Sequence, residues 1–359
     1  MNGELDDVAR ADAAIPLGLQ VLREGASMFE QNSPVVPRSE TPISSSAMTP
    51  AYLDDAAVRA AISPGAAVAA VQDALRSGFD PGTDHARVFE KLTRGDFLLM
   101  PSEVGPYAGI KVLTVAPDNP GIGLPRIQGL YILFDSETLT PRLLLDGAAL
   151  TSIRTPAVSL AATAGALLRS SDPLDVVIFG AGPQAVDHLA TLRAVIGDRR
   201  HLASVTVVVR TLRSVELPDS RVVQTGSAEA AAAIAAAGVI MCATTARTPL
   251  FDSAAVRADA VIIAVGSHEP DARELDSALM GRSQVVVEDV PTALRESGDV
   301  VMAIADGALT ASDLIPLADV IRGTTALDAT RPVLFKSSGM SWEDLAIAAA
   351  IARSIDAPQ

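Results

Sequence analysis

The chain has 359 residues, of which 49% are hydrophobic, and this is enough for two domains with buried cores. Its formal net charge of −15 argues against nucleic acid or an anionic membrane as a partner. Cys242 is the single cysteine, which excludes an intramolecular disulfide and disfavours a cysteine-based metal site. We therefore expect a cytoplasmic protein that binds no metal, no nucleic acid and no membrane.

The first 50 residues predict an N-terminal extension and a linker. Residues 31–50 are rich in proline, serine and threonine, a composition typical of an extended linker. Residues 6–29 have a helical pattern that Pro16 and Gly18 interrupt. The extension is an appendage, a partner-docking arm or a segment that precedes a start at Met48, and the sequence does not choose among these.

Residues 51–170 predict helices around a mostly antiparallel sheet. A helical pattern covers 51–77, with Asp54 and Ser63 as candidate N-caps. A second helix is predicted over 151–168. Turn residues separate four short apolar runs, as expected for antiparallel strands. The four predicted strands are 97–100, 108–115, 128–134 and 142–145.

A glycine-rich turn follows the buried strand predicted at 176–179. Gly180 permits a tight turn, Gly182 lets the backbone approach a pyrophosphate, and the small Ala185 lets the next helix pack closely on the strand. That helix begins near Pro183, and its N-terminal N–H groups favour phosphate. This Gly-x-Gly-x-x-Ala pattern predicts a dinucleotide-binding site.

Strands and helical or loop segments alternate after this turn. Such alternation predicts a doubly wound parallel sheet of the Rossmann type. The strands are expected at 205–209, 222–224, 239–243, 261–265 and 285–288.

The end of the second strand bears on the choice of cofactor. NAD-binding folds carry an acidic residue there, which binds the 2′-hydroxyl of the adenosine ribose. This chain has Arg210, Thr211 and Arg213 instead. Guanidinium groups bind phosphate through bidentate, charge-assisted hydrogen bonds, so we expect NADP(H) rather than NAD(H). The alternative is that both arginines are solvated loop charges.

Three cations precede the nucleotide-binding part in apolar or small-residue surroundings: Arg87, Lys111 and Arg154. Lys111 lies inside a predicted strand, where an ammonium group is costly unless it meets an anion. Arg154 is expected near a helix N-terminus, where a bound carboxylate would offset the unfavourable helix dipole. Each residue taken singly is more often a surface or ion-pair residue than a ligand.

A series of motifs in the same order resembles the ornithine cyclodeaminase/μ-crystallin family over residues 52–352. The motifs are Leu98–Pro101, Gly109–Lys111, Pro117–Pro120, Gly123–Pro125, Leu150–Thr155, Gly180–Ala185, Cys242–Thr245, Val265–His268, Arg273–Asp276 and Phe335–Gly339, with Asp344 after them.

The resemblance implies an α/β protein with three parts. A central Rossmann domain binds NADP over residues 171–330. An α+β domain for substrate binding and dimerisation comprises 51–170 and is completed by 331–359. Residues 1–50 precede both, and homodimers are usual in the family.

The resemblance also implies the site. Arg87, Lys111 and Arg154 clamp the α-carboxylate of an amino or imino acid, and Gly266, Ser267 and His268 approach the nicotinamide and the reacting carbon. The cofactor site implied by turn, strand ends and motifs comprises Gly180, Gly182, Pro183, Gln184, Ala185, Arg210, Thr211, Arg213, Thr244, Thr245, Val265, Gly266, Ser267, Ser337 and Gly339.

Two departures from the family pattern disfavour ornithine cyclisation with loss of ammonia. His268 occupies the position of an aspartate, with Asp271–Ala272 where a Gly-Lys pair is usual, and Leu98 replaces a glutamate. Those carboxylates hold a substrate amine or activate water. The segment Arg273–Leu275 resembles members that reduce imines.

The sequence therefore predicts an NADPH-dependent reductase of an imino acid or ketimine, reversible as an amino-acid dehydrogenase. Lys111 is expected to polarise the imine or relay a proton, and His268 to donate a proton through water. The alternatives are an ornithine cyclodeaminase, an alanine-type dehydrogenase, and a non-enzymatic NADPH or small-ligand binder like μ-crystallin.

Overall fold

The structure is a computed structural model that describes residues 49–357, apart from 213–216 and 218. The extension and linker expected over residues 1–50 thus lie almost wholly outside the described residues. Within them the chain forms two sheets flanked by helices. The helices are α1 (Asp55–Ala61), α2 (Pro64–Arg76), α3 (Gly147–Leu167), α4 (Pro183–Ile196), α5 (Ala228–Ala236), α6 (Ser277–Arg282), α7 (Val290–Glu296), α8 (Gly298–Ala305), α9 (Leu317–Arg322) and α10 (Ser341–Asp356). The strands are β1 (Ala51–Leu53), β2 (Val88–Leu92), β3 (Gly95–Val104), β4 (Tyr107–Val115), β5 (Ile127–Asp135), β6 (Pro141–Asp146), β7 (Leu174–Phe179), β8 (Leu202–Val209), β9 (Arg221–Gln224), β10 (Val239–Cys242), β11 (Val261–Ala264), β12 (Gln284–Val287), β13 (Leu314–Pro316) and β14 (Val333–Lys336).

The first sheet has the order β1-β6-β5-β4-β3-β2 and is antiparallel except for the β1–β6 pair. This confirms the predicted antiparallel sheet and adds the two edge strands β1 and β2. Side chains alternate between its faces. Lys111, Leu113, Tyr131 and Leu133 are buried on the face against which α3 and α10 pack. Lys111 is thereby held inside the protein.

The helical pattern at 51–77 corresponds to two helices rather than one, and both candidate caps are used. Asp54 caps α1 by accepting a hydrogen bond from the Ala57 N–H at 2.9 Å. Ser63 caps α2 by accepting one from the Ala66 N–H at 3.3 Å. Each cap satisfies an N–H group that a helix start leaves unpaired.

Helix α3 begins four residues before the predicted position at Thr151. Asp146 caps it by accepting hydrogen bonds from Ala148 N–H and Ala149 N–H at 3.0 and 2.8 Å. Arg154 therefore lies beyond the second turn of the helix, and the helix-dipole argument for an anion at this residue is wrong. Tertiary contacts of Arg154, rather than the helix dipole, must therefore decide whether an anion binds to it.

The second sheet is parallel throughout and has the order β13-β12-β14-β11-β10-β7-β8-β9. This confirms the predicted Rossmann-type sheet. The chain proceeds from β7 outward to β8 and β9 and then returns to β10 on the other side of β7. Open α/β sheets bind ligands at such a switch point, outside the carboxyl ends of the strands. The glycine-rich turn lies at this point.

The division into domains at residues 170 and 330 stays a prediction. Strand β14, which follows the second boundary, lies in the eight-stranded sheet between β11 and β12. Helix α10 instead contacts β3 and β4 of the other sheet. The connection from β14 to α10 thus joins the two sheets. Among the described helices, none has both the length and the apolarity that crossing a membrane requires.

Candidate active site

The turn between β7 and α4 has the backbone that a pyrophosphate site needs. Gly180 has φ of +101°, and a Cβ atom there would lie 2.5 Å from the carbonyl oxygen of Ala243 on the neighbouring strand end. Gly182 is the N-cap of α4 and supplies no side-chain cap. Pro183 has no N–H group and the Ala185 N–H donates to the Gly182 carbonyl oxygen at 3.0 Å, so the Gln184 N–H is the first one left for a ligand. Ala185 is buried, as close helix–sheet packing requires. The turn fits a bound dinucleotide.

A cavity of about 500 Å³ opens beside this turn. It is lined by the ends of β7, β8 and β10, and it brings together six residues of the predicted cofactor site: Gly180, Gly182, Arg210, Thr211, Thr244 and Thr245. Arg210 directly follows β8, where the 2′-position of an adenosine ribose is expected. Arg213 lies outside the described residues.

Glu274, which the sequence reasoning did not assign to the site, connects the next two strand ends. Its buried carboxylate accepts hydrogen bonds from the Thr244 N–H at 3.0 Å, the Thr244 hydroxyl at 2.8 Å and the Gly266 N–H at 2.7 Å. A side chain at Gly266 would clash with Thr244 and Glu274. Burial raises the pKa of Glu274, and the positive charge of Lys336 opposes that rise. The turns after β10 and β11 are therefore fixed to each other.

Lys336, at the end of β14, holds the turn that follows β11. Its Nζ donates to the carbonyl oxygen of Ser267 at 2.6 Å and lies 3.1 Å from Oδ2 of Asp299. The other oxygen of Asp299 accepts from the N–H groups of Glu274 and Leu275, both at 2.8 Å. Lys336 and Asp299 are fully enclosed, so this pair is a structural support beneath Val265–Ser267.

Lys111 meets an anion inside the protein, as its position in a strand requires. Its Nζ lies 2.6 Å from Oδ2 of Asp344 and donates to the Thr151 hydroxyl at 3.2 Å. Burial lowers the pKa of Lys111 from 10.5 to about 8, although the charge of Asp344 opposes this shift. Thr151 also accepts, through its carbonyl oxygen, from Gln184 Nε2 at 3.5 Å. Lys111 is thus next to the start of the cofactor-binding helix.

Arg154 lies on the other side of Asp344. Its Nη1 donates to Oε2 of Glu343 at 2.8 Å, and its Nε is 3.8 Å from Oδ1 of Asp344. Burial lowers the pKa of the guanidinium, but the charges of Glu343 and Asp344 outweigh it and the net pKa is raised. Within the described residues its Nη2 donates no hydrogen bond, which leaves that end for a ligand.

Arg87 lies in the loop before β2 and contacts the turn next to Arg154. Its Nη2 lies 2.8 Å from Oε2 of Glu296 and donates to the carbonyl oxygens of Ser338 and Gly339 at 3.2 and 2.5 Å. Gly339 has φ of +77°, and a side chain there would clash with the guanidinium of Arg154. The two arginines therefore meet at Gly339, on the turn that follows β14.

His268 is more exposed than the three cations and follows Ser267 in the turn after β11. Partial burial lowers the pKa of its imidazole, and the nearby positive charge of Arg87 lowers it further. The ring is therefore neutral at neutral pH.

The sequence reasoning found the cations of the site but missed most of the acids that hold them. Glu343 precedes the quoted Asp344, and Glu288 follows the buried run of β12. Two signals were available in the sequence: a carboxylate directly after an apolar strand, and two adjacent acids at the start of an apolar helix. Acids in such positions are buried only when they have partners. The unrecognised carboxylates of the site are Glu274, Glu288, Glu296, Asp299 and Glu343.

The parallel sheet with its glycine-rich turn, together with the buried cations Lys111 and Arg154, defines a dinucleotide-dependent oxidoreductase. The chain belongs to the ornithine cyclodeaminase/mu-crystallin family, whose model matches residues 52–358.

Relatives and solved structures agree with this assignment. A Δ1-pyrroline-2-carboxylate reductase of Burkholderia ambifaria is 32% identical over 73% of this chain and 82% of its own. The Δ1-pyrroline-2-carboxylate reductase of Thermococcus litoralis, solved with NADH and L-proline, superposes with a TM-score of 0.72 at 26% identity over 84% of this chain and 96% of its own. An archaeal alanine dehydrogenase dimer with bound NAD gives a TM-score of 0.73 at 25% identity over 84% and 95%. The expected place among imine reductases rather than ornithine cyclodeaminases is confirmed.

Proposed function

We propose that this protein reduces a small cyclic imino acid with the C=N bond next to a carboxylate, such as Δ1-pyrroline-2-carboxylate, using NADPH. The observation that carries the proposal is the buried cluster of Lys111, Arg154 and Asp344 beside the cofactor-binding turn. A pyridine nucleotide fits the turn at Gly180–Gly182, and it supplies the hydride for the imine carbon when bound. The chain's residues must then orient the imino acid and provide a proton.

Arg154 is proposed to hold the substrate carboxylate. Glu343 fixes one end of its guanidinium, while Nη2 is directed away from that contact and makes no hydrogen bond to a described residue. An arginine that is already oriented loses little conformational entropy when it binds a carboxylate. Arg87 supports the same anion from the other side of Gly339. This clamp would fix the C=N carbon relative to the nicotinamide site.

Lys111 is proposed as the source of the proton. With a pKa of about 8, its ammonium group is protonated at neutral pH and yet gives up a proton more readily than an exposed lysine does. Hydride addition at the imine carbon moves the C=N electron pair to nitrogen, which takes the proton from Lys111 Nζ. His268 stays the second candidate, although its lowered pKa leaves a neutral ring that has to gain a proton before it donates one.

The preference for NADPH rests on Arg210 and Thr211. Both line the cavity at the end of β8, and Gln224 Nε2 donates to the carbonyl oxygen of Arg210 at 3.1 Å, which steadies the backbone there. A guanidinium at this position attracts a 2′-phosphate, whereas the ribose hydroxyl of NADH prefers an acid.

A homodimer is proposed through the outer face of the first sheet. Two apolar rows cross its strands on that face: Val88, Leu99, Val112 and Leu130 in one, and Pro101, Ile110, Ile132 and Leu144 in the other. Val88 and Leu130 are 48% and 40% exposed, and the edge strand β2 is exposed along its whole length. An apolar surface of this kind favours association with an identical face.

Oxidation of NADPH and NADH with a panel of cyclic and open-chain imino acids tests the function. We expect turnover with a five- or six-membered cyclic imino acid and slower turnover with open-chain substrates. Release of ammonia from ornithine would instead favour a cyclodeaminase, and reductive amination of pyruvate an alanine-type dehydrogenase. Tight NADPH binding without turnover of any substrate would favour a non-enzymatic binder.

A further inference from the structure

Two buried carboxyl groups lie in contact behind the proposed clamp. Glu343 is in the first turn of α10, and Glu288 directly follows β12. Their side chains are within hydrogen-bond contact of each other, and the residues are 0% and 3% exposed. Burial and the neighbouring Glu288 raise the pKa of Glu343 well above its usual value, although the charge of Arg154 opposes the rise, and this favours one proton on the pair.

The donors around the pair assign that proton. Glu288 accepts from the Ser337 hydroxyl at 2.6 Å and from the N–H groups of Ser338 and Gly339, both at 2.9 Å. Three donors stabilise a charged carboxylate. Glu343 accepts only from Arg154, and its Oε1 has no partner among the described residues. The donors therefore favour Glu288 as the charged member of the pair and leave Oε1 of Glu343 as the oxygen that is free to carry a proton.

The shared proton sets the charge of the clamp. With one proton on the pair, the positive charges of Lys111, Arg154 and Arg87 balance the negative charges of Asp344, Glu288 and Glu296. With both carboxyls ionised, the cluster would be net negative and would repel an anionic substrate. A neutral Glu343 can orient the guanidinium through Oε2 while leaving its charge for a ligand.

We propose that Glu288 and Glu343 form a positioning pair that shares one proton: Glu343 orients Arg154, and Glu288 holds the turn at 337–339 on which Arg87 rests. Both arginines of the clamp then depend on one buried acid pair, although neither acid touches the substrate. The inference rests on the proposed function in that Arg154 receives the substrate carboxylate. The protonation state of the acid pair does not depend on which substrate binds.

Infrared spectroscopy of the full chain tests the proton directly. The difference spectrum between the wild type and Glu343→Gln is expected to contain the carbonyl stretch of a protonated carboxylic acid. The exposed Glu229, in the first turn of α5, provides the control Glu229→Gln, whose difference spectrum is expected to contain a carboxylate band instead. A carboxylate band in place of the acid band for Glu343→Gln would overturn the proposal. This result decides the proton even if none of the tested imines is reduced.

Steady-state kinetics tests the positioning. Glu343→Leu removes both hydrogen bonds, and we expect the KM for the imino acid to rise at least tenfold while kcat changes by less than threefold. Glu343→Gln donates to Glu288 and accepts from Arg154, so it is expected to recover most of that loss. A KM equally raised in both variants would show that Glu343 must be ionised and would overturn the proposal. If Glu343→Leu does not fold, the KM of Glu343→Gln still decides whether Glu343 acts as a neutral or as an ionised group.

Discussion

The ammonium group of Lys111 and the carboxylate of Asp344 form an ion pair of 2.6 Å with almost no exposure to solvent. Residues 111 and 344 are 233 positions apart in the chain, and α10 packs Asp344 against the buried face of β4. Burial lowers the pKa of Lys111 to about 8, and Asp344 limits the shift. The pair therefore sets the pH at which this lysine can give up a proton.

The first prediction concerns the pH dependence of imine reduction. The protonated lysine is the proposed donor, so kcat/KM should fall as pH rises through about 8, the pKa of Lys111. The reverse oxidation needs the neutral lysine and should rise over the same range. Asp344→Asn removes the charge that raises the pKa, so the alkaline limb of the reductive profile should move to lower pH. Asp96→Asn breaks the Lys91–Asp96 pair, whose lysine is exposed, and is the matched control. An unmoved limb in Asp344→Asn would contradict the assignment to Lys111.

The second prediction concerns His268. Its pKa is lowered, so the ring is neutral where the reductase is expected to work. We expect His268→Asn to keep kcat within about threefold of the wild type, a difference of roughly 0.7 kcal/mol in the barrier. The pH profile of the same variant separates the two candidates. Loss of the alkaline limb near the pKa of Lys111 would identify His268, rather than the lysine, as the group that titrates there.

The third prediction tests the contact between Gly339 and Arg154. An alanine at 339 would be strained by the positive φ of +77° and would also displace the guanidinium. Gly323 has φ of +75° with open space around the position of a Cβ atom, so Gly323→Ala carries the backbone strain alone. Gly323→Ala should lose about 1 kcal/mol of stability in thermal unfolding, and Gly339→Ala should lose at least as much. Only Gly339→Ala should raise the KM for the imino acid, by roughly tenfold or more. Equal KM values would show that Arg154 is not the carboxylate ligand.

The fourth prediction concerns cofactor selection. Arg210→Ala removes a charge-assisted bond to the proposed 2′-phosphate, worth roughly 1.5–3 kcal/mol, so kcat/KM for NADPH should fall at least tenfold. The value for NADH should change by less than about threefold, because its ribose carries no phosphate. Arg221→Ala, at the opposite end of the neighbouring strand β9, is the control. An equal loss of kcat/KM with both cofactors would mean that Arg210 does not bind the 2′-phosphate.

Much of the fold was accessible from the sequence because buried parallel strands are continuous apolar runs. The run at 176–179 and the turn at Gly180 are local signals, and the structure has them where they were predicted. The edge strands β1 and β13 have three residues each, too few for a periodic pattern. The bond from Arg154 to Glu343 joins residues 189 positions apart, and residue spacing carries no information about such a pairing. Sequence therefore revealed the cations, whereas the fold was needed to find their carboxylate partners.

The last prediction tests the proposed dimer. Leu130 lies in an apolar row on the outer face of the first sheet and is 40% exposed. Gln128 is on the same strand and the same face but pairs with Thr114 outside both rows. Leu130→Asp would bury a charge in the interface and should convert the dimer to a monomer in light scattering, since an unpaired buried charge costs several kcal/mol. Gln128→Asp should remain dimeric at the same concentration. A monomeric wild type, or a dimer that both variants retain, would exclude this face as the interface.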